Sequence, residues 1–221
     1  MKVRLISKTG GVDGKTPQEL IGYCARVSNP SNQDNPNVSK LLQYCFKHGH
    51  VSIFEMADFT FEIKTSRAIA AQILRHLHFN YQEFSQRYSE VQEFETYEAR
   101  MQDPKNKQNS LDNIDPDIAV WFFEAQEEVR KVSTAVYKEA LRVGIAKEQA
   151  RFLLPMTVQT TMYMKGSLRS WIHYLAIRRG KETQKEHREI AEAIHDILKV
   201  EAPDVIGLLP DFTILESNPY D

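Results

Sequence analysis

Between Gln72 and Tyr88 the chain gathers two arginines, two histidines, one carboxylate, one serine and four side-chain amides within seventeen residues. Arg75 and Arg87 offer planar forks that match a phosphate or carboxylate. Phe79, Tyr81, Phe84 and Tyr88 add flat surfaces on which a ring can stack. This mixture is too polar for a core helix and too aromatic for a solvated face, so it reads as a nucleotide-recognition segment. Ser85 beside Arg87 could serve as a nucleophile. No positioned base and no nucleophile elbow accompanies it, and a binding hydroxyl is the simpler reading.

Further arginines lie far along the chain. Arg151 sits in the mostly apolar run Ala150-Arg151-Phe152-Leu153-Leu154, where it needs either a structural carboxylate partner or an anionic ligand. Arg169, His173 and Arg178 belong to one predicted helix. Arg169 and His173 are one turn apart and share a face. Arg178 is nine residues from Arg169 and, at ~100° per residue, points the opposite way. If both arginines bind ligands, one helix serves two sites, which points to sites at subunit interfaces. His48-Gly49-His50 and His76-Leu77-His78 place histidines two apart, yet no second ligand pair has metal spacing, and no metal site is expected.

The elements that must position these residues can be read from periodicity. Val3–Ser7 reads as a short strand. Thr16-Pro17-Gln18-Glu19 is a capping box that opens a helix to about Val27. An asparagine- and proline-rich loop follows, then a helix over Ser39–Lys47 that Gly49 stops. Met56–Lys64 alternates as a half-buried strand with Ala57, Phe59, Phe61 and Ile63 on one side. Thr65 or Ser66 then caps a helix whose apolar stripe is Ile69, Ile73 and Leu77, with Gln72, Arg75 and His76 opposite.

The stretch from Asn80 to about Ser89 should be extended or irregular, and if extended it aligns Glu83, Ser85 and Arg87 on one face. Asp103–Asp115 is polar and reads as a mobile loop. Asp115-Pro116 opens a long amphipathic helix to near Gly144, and a shorter helix holding Arg151 is cut at Pro155. Met156–Met164 reads as a second β segment. Ser167 caps a helix through Arg178, and a last helix spans about Thr183–Val200. The pattern predicts one helix-dominated α+β domain over residues 1–221, with a small, mostly antiparallel sheet.

Composition narrows the partners. A net charge of −2 and a pI near 6.4 exclude general affinity for nucleic acid, so any anion site must come from locally gathered arginines. No apolar run is long enough for a bilayer, and the N-terminus lacks the apolar core of a signal peptide. Cys24 and Cys45, both in apolar helical patterns, read as free thiols and not as nucleophiles. A cytoplasmic protein is expected, in host cytoplasm if the source is viral.

The segment from Arg75 to Tyr88 resembles the RHRxxSxxxxSxRY signature of the flavin-dependent thymidylate synthases. Leu77 stands where the family has its second arginine, and Asn80 where it has its first serine. The resemblance extends to His50-Val51-Ser52-Ile53-Phe54-Glu55, to Ala150-Arg151-Phe152-Leu153-Leu154-Pro155, and to Gly166-Ser167-Leu168-Arg169-Ser170-Trp171-Ile172-His173 and on to Arg178. It covers roughly residues 15–205.

This resemblance implies a deoxyuridylate (dUMP) pocket lined by Gln72, Ile73, Leu74, Arg75, Glu83, Phe84, Ser85, Gln86, Arg87 and Arg151. Arg178 would meet the uracil ring and favour its ionised form, making it the catalytic residue. FAD would contact Ser52, Arg75, His76, Leu77, Glu83, Ser167, Leu168, Arg169 and His173, with His50 stacking near flavin and folate. The implied reaction is reductive methylation of dUMP to dTMP, with 5,10-methylenetetrahydrofolate and NADPH as co-substrates, in a homotetramer. Two alternatives use the same arginines: a nucleotide phosphohydrolase, which needs clustered acidic metal ligands such as Glu127-Glu128, and a non-catalytic dUMP-binding module.

Overall fold

The alternation around residues 56–64 is realised as strand β2 (Asp58–Ser66), in a computed structural model that describes residues 1–90 and 93–209. Ala57, Phe59, Phe61 and Ile63 are buried, because a period of two puts them on one side of the pleat. Their polar neighbours are engaged: Glu62 accepts from Arg4 at 3.3 Å and from Tyr163 Oη at 2.8 Å, and Asp58 pairs with Lys165 at 3.3 Å.

Ser66, the second of the two expected caps, ends the strand. Its Oγ accepts from the Ile69 amide at 3.4 Å and opens helix α3 (Arg67–Ile73). The same joint recurs at β6 (Gln159–Ser167), where Ser167 Oγ accepts from the Ser170 amide at 3.3 Å and opens α6 (Leu168–Arg178). Each strand thus runs directly into a helix through a serine cap, with an arginine close behind it (Arg67 in one, Arg169 in the other).

The remaining strands are β1 (Lys2–Lys8), β3 (Asn80–Glu83), β4 (Met101–Gln102) and β5 (Ser110–Leu111); the remaining helices are α1 (Pro17–Ala25), α2 (Ser39–Lys47), α4 (Pro116–Arg142), α5 (Lys147–Ala150), α7 (Lys185–Glu201) and α8 (Pro203–Ile206). The main sheet has the order β1-β2-β6-β3, while β4 and β5 pair antiparallel with Met101 opposite Leu111. The fold is α+β, helix-dominated, with a small antiparallel sheet. Among the described residues no helix is long and apolar enough to cross a membrane.

Two compact units are interleaved along the chain. The first takes Met1, Lys64–Arg75 and Gln82–Met162; the second takes Lys2–Ile63, His76–Tyr81 and the residues from Tyr163 onward. In the first unit, Tyr137 and Ala140 of α4 pack with Ala150, Leu141 and Leu154. Asp115 caps α4 by accepting from the Asp117 amide at 2.8 Å. Of the polar stretch expected to be a mobile loop, only Ser110–Leu111 is strand; residues 103–109 form the turn between β4 and β5. The Asp103 carboxylate closes its turn by accepting from the Lys105 and Asn106 amides and from Asn109 Nδ2, local bonds that periodicity cannot reveal.

In the second unit, Trp171 and Tyr174 of α6 are fully buried, and Trp171 Nε1 donates to the Phe59 carbonyl at 3.2 Å. Ile190, Ile194 and Leu198 of α7 form its buried stripe, as their spacing requires.

One boundary differs in a way that matters. The helix after β2 was expected to reach Leu77, but α3 stops at Ile73, and Leu77 is 87% exposed instead of lying on the apolar stripe. Past the end of α3, two carbonyls are held by side chains: Tyr81 Oη donates to His76 O at 2.9 Å, and Ser170 Oγ donates to His78 O at 3.2 Å. Phe79 then seats against Trp171 with ring centroids 4.6 Å apart. Gly166 permits that seat, since a Cβ there would lie 2.4 Å from the Phe79 ring.

Candidate active site

In the first unit, residues one turn apart on α3 share a face: Arg67, Ala71 and Leu74. They line a cavity of about 380 Å³ together with Glu83, Gln86, Arg151, Phe152 and Val158. That size suits a nucleotide-sized ligand. Arg67 pairs with Glu83 at 2.9 Å and donates to the Phe84 carbonyl at 2.7 Å. Thr160 Oγ1 also donates to Glu83, at 2.9 Å. Gln86 is buried, and its Nε2 has no hydrogen-bond partner among the described residues.

Arg151 answers the question its sequence context raised. It has no carboxylate partner among the described residues; its Nε donates to the Glu148 carbonyl at 3.2 Å and its guanidinium lies over the Phe152 ring at 5.4 Å. Its terminal nitrogens are therefore free for an anion. Arg75, just beyond α3, is exposed, and Gln72 is partly buried. Ile73 is fully buried and presents no surface to a ligand.

After Glu83 the segment takes the irregular alternative, and Glu83, Ser85 and Arg87 do not line up on one face. Strand β3 ends at Glu83, and the chain turns so that the Tyr88 and Ser89 amides both donate to Ser85 O, at 3.1 and 3.0 Å. Glu83 and Gln86 line the cavity, whereas Ser85, Arg87 and Tyr88 line a separate depression with Ala146, Lys147 and Glu148. There Arg87 pairs with Glu148 at 3.2 Å, both exposed. Phe84 is partly buried, its amide donating to Thr161 O at 2.9 Å.

The second unit holds the other candidates. Arg178, at the end of α6, donates from Nε to His76 Nε2 at 2.8 Å. An acceptor nitrogen carries no proton, so the contact assigns the imidazole hydrogen to Nδ1. The His76 ring packs edge-on against Tyr174 at 4.9 Å, and the Tyr174 hydroxyl lies 3.1 Å from His187 Nε2. Burial, with the Arg178 charge adding to it, pushes the His187 pKa down to about 3, and burial raises that of the Tyr174 phenol. His187 is therefore neutral, and its Nε2 shares a hydrogen bond with the phenol.

On the other side of α6, Arg169 is exposed and pairs with Glu55. His173, one turn on, is exposed with its ring centroid 6.3 Å from that of His78. Ser52 and His50 are exposed as well, and the ring of His50 lies parallel to that of Tyr44. Ser167 spends its hydroxyl on the α6 cap, and Leu168 is fully buried and presents no surface to a ligand. Among the described residues no group of three His, Cys, Asp or Glu side chains could hold a metal ion.

Sequence reasoning missed Arg67, Thr160, Tyr174 and His187. Arg67 did leave a trace, because a cation in the first turn of a helix opposes the macrodipole and must be held by something else. Thr160, Tyr174 and His187 looked like ordinary positions on a strand and two amphipathic helices, with no local signal.

Residues 4–204 match the family model described as thymidylate synthase complementing protein. The chain is 56% identical over 214 residues to a flavin-dependent thymidylate synthase of Synechocystis sp., covering 95% of this chain and 99% of that protein. It is 50% identical to a probable flavin-dependent thymidylate synthase of Paramecium bursaria Chlorella virus 1, with the same coverage. Its fold is like that of a UMP/dUMP methylase, PolB of Streptomyces cacaoi, solved with 5-Br dUMP (TM-score 0.81, 22% identity, 93% of each chain). An α+β nucleotide enzyme is thus defined by fold and sequence together. The chain belongs to the flavin-dependent thymidylate synthase family.

Proposed function

We propose that this chain methylates dUMP to dTMP, using 5,10-methylenetetrahydrofolate as one-carbon donor and NADPH as reductant by way of FAD. The observation that carries the reading is the cavity where Arg151, an unspent fork, faces the carboxylate and amide of Glu83 and Gln86. In this reading Arg151 takes the phosphate, Glu83 and Gln86 take donors and acceptors of sugar and base, and Gln72 and Arg75 flank the nucleotide. Ser85 and Arg87 line a second depression of the same unit, which suits a site completed by more than one subunit.

Arg178 is the proposed catalytic residue. With Nε on His76, its two terminal NH2 groups remain to hydrogen-bond a uracil carbonyl and stabilise negative charge on the ring. The exposed donors Ser52, His50, Arg169 and His173 of the second unit fit an anionic, ring-bearing cofactor such as FAD. FAD, when bound, supplies the redox chemistry, and the chain supplies binding and orientation. A thiolate route through Cys45 is poorly served, because Cys45 is buried and burial raises its thiol pKa. A cytoplasmic location, the host's for a viral chain, goes with this reading, since two free cysteines suit a reducing compartment.

The homotetramer implied by the family resemblance has support on α4. Ile118, Phe122, Ala125, Val129, Val132 and Val136 follow each other in steps of four and three, a coiled-coil-like seam. Ile118, Val129, Val132 and Val136 are each between 44% and 55% exposed, so the seam is not used by the chain's own core. A second copy of the same helix would cover it.

The test is direct. Purified protein incubated with FAD should retain a flavin absorption spectrum and form dTMP from dUMP, methylenetetrahydrofolate and NADPH. Colourless protein that forms no dTMP would refute the reading. The phosphohydrolase alternative is disfavoured by Glu127, which is occupied by an ion pair with Arg130 on α4; magnesium-dependent phosphate release would revive it. A non-catalytic module would bind dUMP without oxidising NADPH.

A further inference from the structure

Arg67 occupies the first position of α3, and both of its terminal nitrogens are committed. One pairs with Glu83 Oε1 at 2.9 Å and the other donates to the Phe84 carbonyl at 2.7 Å; Nε is buried without a hydrogen-bond partner. An arginine that bound phosphate would need that fork open. Arg67 is therefore poorly placed to hold a ligand itself, although it lines the cavity.

What it holds is Glu83. Thr160 Oγ1 donates to the same oxygen, Oε1, at 2.9 Å. The carboxylate is thus fixed by one oxygen from two elements, α3 and β6. Oε2 takes no hydrogen bond from the described residues and is the oxygen left for a donor in the cavity. The bond to the Phe84 carbonyl adds a second restraint on the segment that continues into Gln86. A single planar fork serves a carboxylate and a backbone carbonyl together, which a compact ammonium cannot do with the same geometry.

We propose that Arg67 is a substrate-positioning residue: with Thr160 it ties down Glu83 Oε1 and presents Oε2 to an N–H or O–H donor of the pyrimidine nucleotide. The proposal rests on the reading of this cavity as the dUMP site. It assigns Arg67 no contact with the nucleotide.

The experiment measures dUMP affinity of the FAD-loaded protein by calorimetry for the wild type, Arg67→Met, Arg67→Lys, Glu83→Gln and the double variant Arg67→Met/Glu83→Gln. Arg67→Met should weaken dUMP binding roughly tenfold or more, the range for a lost hydrogen bond to a charged group. Arg67→Lys should recover only part of that loss. The double variant should bind no more weakly than Glu83→Gln alone, because Arg67 acts through Glu83. A merely structural role would add its cost in the Glu83→Gln background too.

Additive losses, or Arg67→Met binding within about twofold of the wild type, would overturn the inference while leaving the dUMP site standing. Wild-type protein that binds no dUMP would instead overturn the reading of the cavity, and the inference with it. Should Arg67→Met fail to fold, the charge-conserving Arg67→Lys decides alone: it must weaken dUMP binding, and wild-type affinity there refutes the clamp.

Discussion

Arg178 Nε donates to His76 Nε2 at 2.8 Å, joining residues 102 positions apart in the sequence. The bond fixes the one N–H of the guanidinium that cannot rotate to a new partner without moving the whole side chain. It leaves the terminal NH2 groups for a ligand. Arg178→Ala should therefore lower the single-turnover rate of dTMP formation by roughly 100-fold or more, as loss of an oxyanion-type donor does, with a smaller effect on dUMP affinity. His76→Leu should give an intermediate loss, because the arginine remains but is no longer oriented. Equal rates for His76→Leu and wild type would show that the contact has no bearing on turnover.

The buried pair behind that contact predicts a pH dependence of stability. His187 has its pKa pushed down to about 3 by burial and by the Arg178 charge, against an ordinary value of 6.5. Between these values the unfolded chain binds a proton that the fold refuses. Stability is therefore fully present above about pH 6.5 and falls as the pH drops towards 3, by up to about 1.4 kcal/mol per unit from this group. His187→Gln keeps a hydrogen-bonding group for Tyr174 but cannot titrate. Urea midpoints at pH 7 and pH 5 should differ less for the variant than for the wild type. Taking the difference between the two proteins removes the part due to His195, whose pKa burial also lowers.

The sequence made the scaffold legible wherever one face of an element was apolar and the other polar. Strand β2, helices α4, α6 and α7 and the serine caps all follow from periodicity and capping chemistry. The path after α3 did not follow, because it is held by Tyr81, Ser170 and Gly166, whose bonds and close approach arise only in the folded chain. For the site, sequence could select arginines by context but could not sort them by commitment. Arg151 is unspent and Arg67 is spent, and only hydrogen-bond geometry separates them. The opposed faces of Arg169 and Arg178 were predictable from nine residues of helix; the His76 and Glu55 partners were not.

Assembly offers an independent test on α4. Val132 is 55% exposed in the middle of the apolar seam, so a charge there costs the isolated chain little. Buried between two copies it would be an unpaired charge in an apolar contact. Val132→Glu should shift the protein to smaller species in size-exclusion chromatography with light scattering, and dTMP formation should fall with assembly. An unchanged elution profile would remove α4 from the subunit contact.

Ser85 separates binding from nucleophilic catalysis. Its carbonyl is engaged by the turn through Ser89, and the neighbouring Glu148 is taken up by Arg87, so the hydroxyl has no free base beside it in that depression. Ser85→Ala should keep catalysis within about tenfold of wild type, the range for loss of one neutral hydrogen bond, and raise KM for dUMP more than it lowers kcat. Complete loss of turnover with dUMP binding intact would restore the nucleophile reading.

Leu77 gives a gain-of-function test. The family signature that the segment resembles has arginine here, and the chain's leucine is 87% exposed beyond the end of α3, between His76 and His78. No apolar stripe of this chain depends on it. Leu77→Arg should therefore change the unfolding free energy by no more than about 0.5 kcal/mol, as exposed substitutions do. It would also place a new fork near the exposed His78 and His173 rings, where an anionic cofactor gains a charge-assisted hydrogen bond. FAD titration followed by flavin fluorescence should show tighter binding for the variant. Weaker FAD binding together with loss of assembly would mean that an adjoining subunit covers Leu77, in which case the leucine is there to be buried by a second copy and the lost arginine is a consequence of the interface.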